Sequence, residues 1–168
     1  ETIALGHAEL DLTDPDAIRR VLREVRPGLI VNAADYTAVD RAETDQAAAW
    51  AANAAAPGVM AEAAKKIGAA LVHYSTDYVF DGRALTPYSE EHPTAPQSVY
   101  GASKLVGEEQ ALAYGRALVV RTSWVFGAGG ANFVDTIAGR IRGGQKSFRV
   151  VQDQVGAPTW APFLARAV

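Results

Sequence analysis

Tyr100 and Lys104 stand four residues apart in Tyr100-Gly101-Ala102-Ser103-Lys104, a spacing that puts both side chains on one face of a helix. An ammonium beside a phenol favours the phenolate and lowers the tyrosine pKa from about 10 toward working pH, making the hydroxyl a usable proton donor. The same charge can hold a ribose. Alone, Tyr-x-x-x-Lys is a common pattern that also fits a solvated helix face. A second cluster, Ser75-Thr76-Asp77-Tyr78, follows the apolar run Ala70 to Tyr74 and supplies two hydroxyls and a carboxylate. In isolation it would equally cap a helix or close a turn. Placed in one mouth, the two clusters make a constellation for proton transfer to an oxygen.

The elements that must position these groups follow from periodicity. Asp14-Pro15-Asp16 starts an amphipathic helix carrying Ile18, Val21, Leu22 and Val25, which ends at Arg26-Pro27-Gly28. Leu29-Ile30-Val31 shows no polar alternation, which predicts a strand buried on both faces. The Ala-rich stretch from Ala47 to Ala64 predicts a helix pair, one member from about Asp45 to Asn53 and another opened by Pro57 and ending at Gly68. Strand 70–74 follows, then a long loop over residues 81–97, the site-bearing helix 99–114, strand 117–121, helix 132–142, strand 149–151 and a last helix from Pro158. Strands alternating with helices imply crossover connections and a parallel sheet, so the class is α/β, doubly wound and Rossmann-like. Ligands in such folds sit beyond the carboxyl ends of the strands, where both clusters fall.

Composition excludes other classes. The 168 residues are 49% hydrophobic and 21% charged, with 16 basic against 19 acidic side chains and a net charge of -3, an ordinary globular balance. No basic run marks nucleic acid or an anionic membrane as a partner. The absence of cysteine rules out disulfides and Cys-type zinc sites and fits a reducing compartment, with the cytoplasm as default. His7, His73 and His92 are too far apart in sequence to suggest a metal site.

Ser75-Thr76-Asp77-Tyr78-Val79-Phe80-Asp81-Gly82, Tyr100-Gly101-Ala102-Ser103-Lys104 and Arg121-Thr122-Ser123-Trp124-Val125 together resemble the extended short-chain dehydrogenases/reductases. More narrowly, they resemble the sugar-nucleotide branch of dTDP-4-dehydrorhamnose reductases. Val31-Asn32-Ala33-Ala34, Tyr36 to Asp40, Asn132-Phe133 and Asp153-Gln154-x-Gly156-x-Pro158-Thr159 extend the similarity along the whole chain. The resemblance implies that Tyr100 donates a proton to a C4 ketone oxygen, that Lys104 tunes it and holds the nicotinamide ribose, and that Thr76 bonds the reacting oxygen. Asp77 and Trp124 would join Thr76 against the sugar. Asp11 and Leu12 would contact adenine, and Ala33, Ala34, Asp35, Tyr36, Thr37 and Tyr74 would line the cofactor. The implied substrate is a dTDP-linked 4-keto-6-deoxy sugar, and a homodimer is an assembly the resemblance allows.

Related dehydratases carry Thr-Asp-Glu where this chain has Thr76-Asp77-Tyr78; a phenol cannot serve as their carboxylate base, so reduction is favoured over elimination. After Thr2-Ile3-Ala4-Leu5 the chain reads Gly6-His7, with no acid for a ribose 2'-hydroxyl, which points to NADPH while permitting NADH. No Gly-x-x-Gly-x-x-Gly occurs, so the phosphate-binding loop and first strand are expected before Glu1 and the chain reads as a fragment. Residues 1–130 are expected to form the NAD(P)-binding domain, and residues 131–168 its remaining elements and the start of a substrate region. Asp35 stands where the family usually has a small apolar residue. Two other functions fit the same residues: a non-catalytic regulatory subunit of the methionine adenosyltransferase type, and a reductase of another nucleotide-linked 4-keto sugar.

Overall fold

In the computed structural model, which describes residues 1–130 and 132–168, a three-stranded sheet packs against helices. Ala131, where the second expected region begins, lies outside the described residues. Asp14 accepts from the amides of Asp16 and Ala17, both at 3.0 Å, and opens α1 (Pro15–Val25), so two of the helix's orphan donors are satisfied. β1 (Leu29–Asn32) pairs in parallel with β2 (Ala70–Thr76), Leu29 opposite Ala70 and Asn32 opposite His73. β3 (Ala117–Thr122) lies on the other side of β2, giving the order β1-β2-β3. Parallel strands bring the ends of β1 and β2 to one edge, as the sequence predicts.

Two expectations about these elements change. β1 alternates instead of being buried throughout: Ile30 and Asn32 are buried, while Leu29 and Val31 are each 47% exposed, because alternate side chains of a strand point to opposite faces and Ile30 joins the core formed with Ile18, Leu22, Met60, Ala64 and Leu71. The expected helix pair is a single helical run. α3 (Gln46–Trp50) passes through a π turn at Ala51–Ala55 into α4 (Ala56–Ile67), which stops at Gly68 with φ +73°. Pro57 has no N–H to give the carbonyl of Asn53, so the ladder widens there without breaking.

A short helix, α2 (Val39–Ala42), precedes this run. α5 (Val99–Leu112) is capped by Ser98, whose hydroxyl accepts from the Gly101 amide at 3.1 Å. Two glycines let α5 approach its neighbours. A Cβ on Gly101 would overlap the Tyr78 carbonyl oxygen, and one on Gly107 would overlap that of Asn53.

The chain divides into two compact units, Glu1–Arg121 and Thr122–Val168. In the second, β4 (Val125–Phe126) pairs in parallel with β5 (Thr159–Trp160), and α6 (Phe133–Arg142) and α7 (Ala161–Ala167) complete it. The strand expected at residues 149–151 does not form: Val150 and Val151 are exposed and outside any sheet. The parallel partners are instead two-residue segments too short to show alternation. The last helix starts three residues after Pro158, with Pro162 in its first turn.

Candidate active site at the carboxyl edge of the sheet

Two elements, β2 and α5, bring Thr76, Tyr100 and Lys104 to one place. β2 runs on through Thr76, two residues past its expected end, so Thr76 closes the strand and its hydroxyl accepts from the Tyr78 amide at 3.2 Å, capping the 3-10 turn Asp77–Val79. The capping role and the site role therefore coexist in one side chain. Tyr100 enters from the first turn of α5, and its ring meets that of Tyr78 edge-on at 5.6 Å between centroids. Lys104, one turn further along, is 1% exposed. Its ammonium donates to Asp35 Oδ2 at 2.9 Å and to the Tyr74 carbonyl at 2.7 Å.

This arrangement reverses one expectation. Burial of the Tyr100 phenol holds its pKa well above the ordinary value, and the nearby Asp35 carboxylate pushes the same way; a hydrogen bond with Thr76 acts against them, and the charges of Asp77 and Tyr78 add to the rise. Lys104 does not overcome these effects because a carboxylate and a carbonyl hold its charge. Tyr100 thus stays in the neutral, proton-bearing form from which a general acid must start, and its raised pKa makes it a weaker acid than one matched to the working pH.

Asn53, which the sequence did not mark as part of the site, braces it. From the π turn it accepts from the Tyr36 amide at 2.8 Å and donates to the Tyr36 carbonyl at 3.2 Å and to Ser103 Oγ at 3.1 Å; Ser103 in turn donates to the Tyr100 carbonyl at 2.8 Å. One wholly buried amide ties the segment after β1 to the helix carrying Tyr100 and Lys104. An asparagine inside an alanine-rich helical stretch was the available signal, since buried amides persist only where their hydrogen bonds are met.

The other expected residues divide. Ala33, Ala34 and Thr37 are exposed after β1, and Tyr36 donates through its hydroxyl to Asp45 at 3.0 Å. Asp77 adjoins Thr76, which donates to it at 3.3 Å. Asp11 turns its carboxylate to the amide and hydroxyl of Thr13, both at 2.8 Å, and Leu12 packs on the main core, whereas Tyr100 belongs to a smaller cluster with Ala42 and Ala49. Trp124 belongs to the second unit, where it adopts φ +45° and stands so close to Gly156 that a Cβ there would meet its ring at 2.7 Å.

The groups present suit the nicotinamide-ribose end of a dinucleotide. A buried ammonium and a protonated phenol lie at the strand edge, with two exposed alanines beside them and no bulky side chain on Ala33 or Ala34 to block the approach. Among the described residues no group of three or more His, Asp or Glu is placed to hold a metal ion, and no helix is long and apolar enough to cross a membrane.

Residues 1–168 match the family model described as RmlD substrate binding domain. A Streptomyces antibioticus protein named "Probable dTDP-4,6-dihydroxy-2-methyloxan-3-one 4-ketoreductase" is 52% identical over 98% of this chain and 56% of its own length. A dTDP-4-dehydrorhamnose reductase of Burkholderia thailandensis is 48% identical over 98% of this chain and 55% of its own. Among solved structures, dTDP-4-dehydrorhamnose reductase from Bacillus anthracis in complex with NADP superposes with a TM-score of 0.93 at 38% identity, over 99% of this chain and 60% of that one. The chain thus spans little more than half the length of these relatives.

Proposed function

The chain belongs to the RmlD substrate binding domain family, and on that premise we propose that a full-length protein carrying it reduces the C4 ketone of dTDP-4-dehydro-6-deoxy-L-mannose (dTDP-4-dehydrorhamnose) to dTDP-L-rhamnose. The observation that carries the reading is the placing of the Tyr100 phenol, hydrogen-bonded with Thr76, one helical turn from the buried Lys104 at the carboxyl edge of the sheet. Relatives named for this reaction and a solved neighbour in complex with NADP support it. When bound, NADPH supplies the hydride, and NADH is the permitted alternative.

Each residue then has a task. Lys104 holds the nicotinamide ribose, and Ala33, Ala34, Asp35, Tyr36, Thr37 and Tyr74 form the wall along which the cofactor lies, with Asp11 and Leu12 at its adenine end. Thr76 bonds the ketone oxygen, fixing it near Tyr100. As charge builds on that oxygen, Tyr100 gives up its proton, and its surroundings make it a donor that stays loaded across the physiological range. Asp77 and Trp124 contact the sugar. Residues 1–130 serve the dinucleotide and residues 131–168 begin the substrate region, in a protein assigned to the cytoplasm.

A second reading has a specific observation behind it: a relative at 52% identity is named for a different dTDP-linked keto sugar. The test is oxidation of NADPH by the full-length protein, followed by the loss of reduced-nicotinamide absorbance, with each keto sugar in turn. Preference for dTDP-4-dehydrorhamnose supports the first reading and preference for the other sugar the second. Binding of NADPH without oxidation on either would indicate a regulatory subunit.

A further inference from the structure

Asp35 is a direct partner of Lys104. A buried ammonium is costly unless it is paired, since removal from water costs several kcal/mol per ion even after relaxation. Lys104, 1% exposed, meets that cost with Asp35 Oδ2 at 2.9 Å and the Tyr74 carbonyl at 2.7 Å. Two of its three donors are thereby committed. The ion pair joins the segment after β1, the end of β2 and the second turn of α5, and the Asp35 side chain is 21% exposed.

We propose that Asp35 is a positioning residue: its carboxylate fixes and offsets the Lys104 ammonium between β1 and β2, so that Lys104 can hold the nicotinamide ribose without stripping the proton from Tyr100. This inference rests on the reading of Tyr100 as proton donor. The other ionisable groups around the pair have separate roles. Asp77 and Tyr78, from the 3-10 turn, face Tyr100 and act on it more weakly than Asp35. Asp40 of α2 acts on Tyr78. His73 of β2 faces Lys104 but stays neutral, burial pushing its pKa down to about 3. Glu108 of α5 is engaged by Arg121, and Tyr36 by Asp45. Asp35 is therefore the charge whose loss should move the pair.

The experiment compares the full-length wild type with Asp35→Asn, Asp35→Ala and Asp35→Glu, reading NADPH affinity without substrate and kcat/KM for reduction, both as a function of pH. Asp35 is the largest charge acting on Tyr100, so removing the carboxylate should lower the alkaline midpoint of the kcat/KM profile by about 1–3 pH units. Asp35→Glu, which keeps the charge, should retain a midpoint near the wild type. Asparagine and alanine remove the charge with different demands on packing, so misfolding of one leaves the other as the test. An unchanged midpoint in the charge-removing variants overturns the proposal, as does a midpoint that Asp35→Glu shifts equally. Turnover by Tyr100→Phe is measured alongside. If Tyr100→Phe is inactive and the midpoint does not move, the proposal falls and the reductase reading stands. If Tyr100→Phe stays active, both fall whatever the binding profile shows.

Discussion

Protonation of Tyr100 decides what the site can do, and burial with Asp35 beside it favours the neutral phenol. Reduction needs that form, so kcat/KM should hold its neutral-pH value up to the ordinary phenol value of 10.0 and fail only above it; a fall beginning below pH 8 or so would contradict this assignment. Replacing Tyr100 with Phe in the full-length protein should cost at least roughly 100-fold in kcat, the low end of what a positioned general acid contributes. A second titration acts on stability. His73 is buried and its pKa is lowered from 6.5 to about 3, by burial first and then by the Lys104 charge. With the Asn32 amide nitrogen donating at 3.1 Å, Nδ1 accepts and the ring is neutral. In that window the unfolded chain binds a proton that the folded chain does not, so stability falls as pH drops from 6.5, by at most about 1.4 kcal/mol per unit. Urea unfolding across the window should show a shallower slope in His73→Gln. Tyr100, Lys104 and Thr76 were legible in the sequence because residue type and spacing alone define an acid with its neighbours. The direction of the Tyr100 shift was not, since it depends first on burial and then on Asp35, which is 69 residues from Lys104 along the chain and meets it only after folding.

At the scale of elements, the site is held by how closely α5 can approach the π turn. Gly107→Ala would drive a Cβ into the Asn53 carbonyl, a backbone atom that cannot swing away, and should destabilise the protein by about 1–3 kcal/mol. Gly58→Ala meets the flexible end of the Gln110 side chain instead and lies inside a helix, where alanine is favoured by roughly 0.5–1 kcal/mol; it should be near neutral. Equal losses in the two variants, measured by chemical unfolding, would contradict this account of α5. A further tie is the pair of buried Glu108 and partly buried Arg121, in which Arg121 also donates to the Glu90 carbonyl at 3.3 Å and lies over the Phe80 ring at 5.0 Å. Arg121→Met strands the Glu108 carboxylate, which is 2% exposed. The expected loss is about 3–5 kcal/mol, with faster proteolysis in the loop over residues 81–97; an unchanged unfolding midpoint would contradict it. Most helices and the three sheet strands could be read from periodicity. The π turn could not, because a proline near the start of a helical pattern reads as a helix start and not as a widened ladder, and the strand expected at 149–151 failed because an apolar pair has no strand without a partner.

For the whole molecule, alternating strands and helices were enough for the α/β class, and the parallel register of β1 on β2 bears it out. The division after Arg121 was not legible, since no change of composition marks it. On the proposed function, the carboxyl edge of this sheet is where a ketone would receive a proton from Tyr100. The most direct test is NADPH oxidation by the full-length protein with dTDP-4-dehydrorhamnose, wild type beside Tyr100→Phe. Oxidation that requires the keto sugar and is lost by at least roughly 100-fold in the variant is the predicted result. Oxidation that proceeds without the sugar, or that the variant sustains at the wild-type rate, would contradict it.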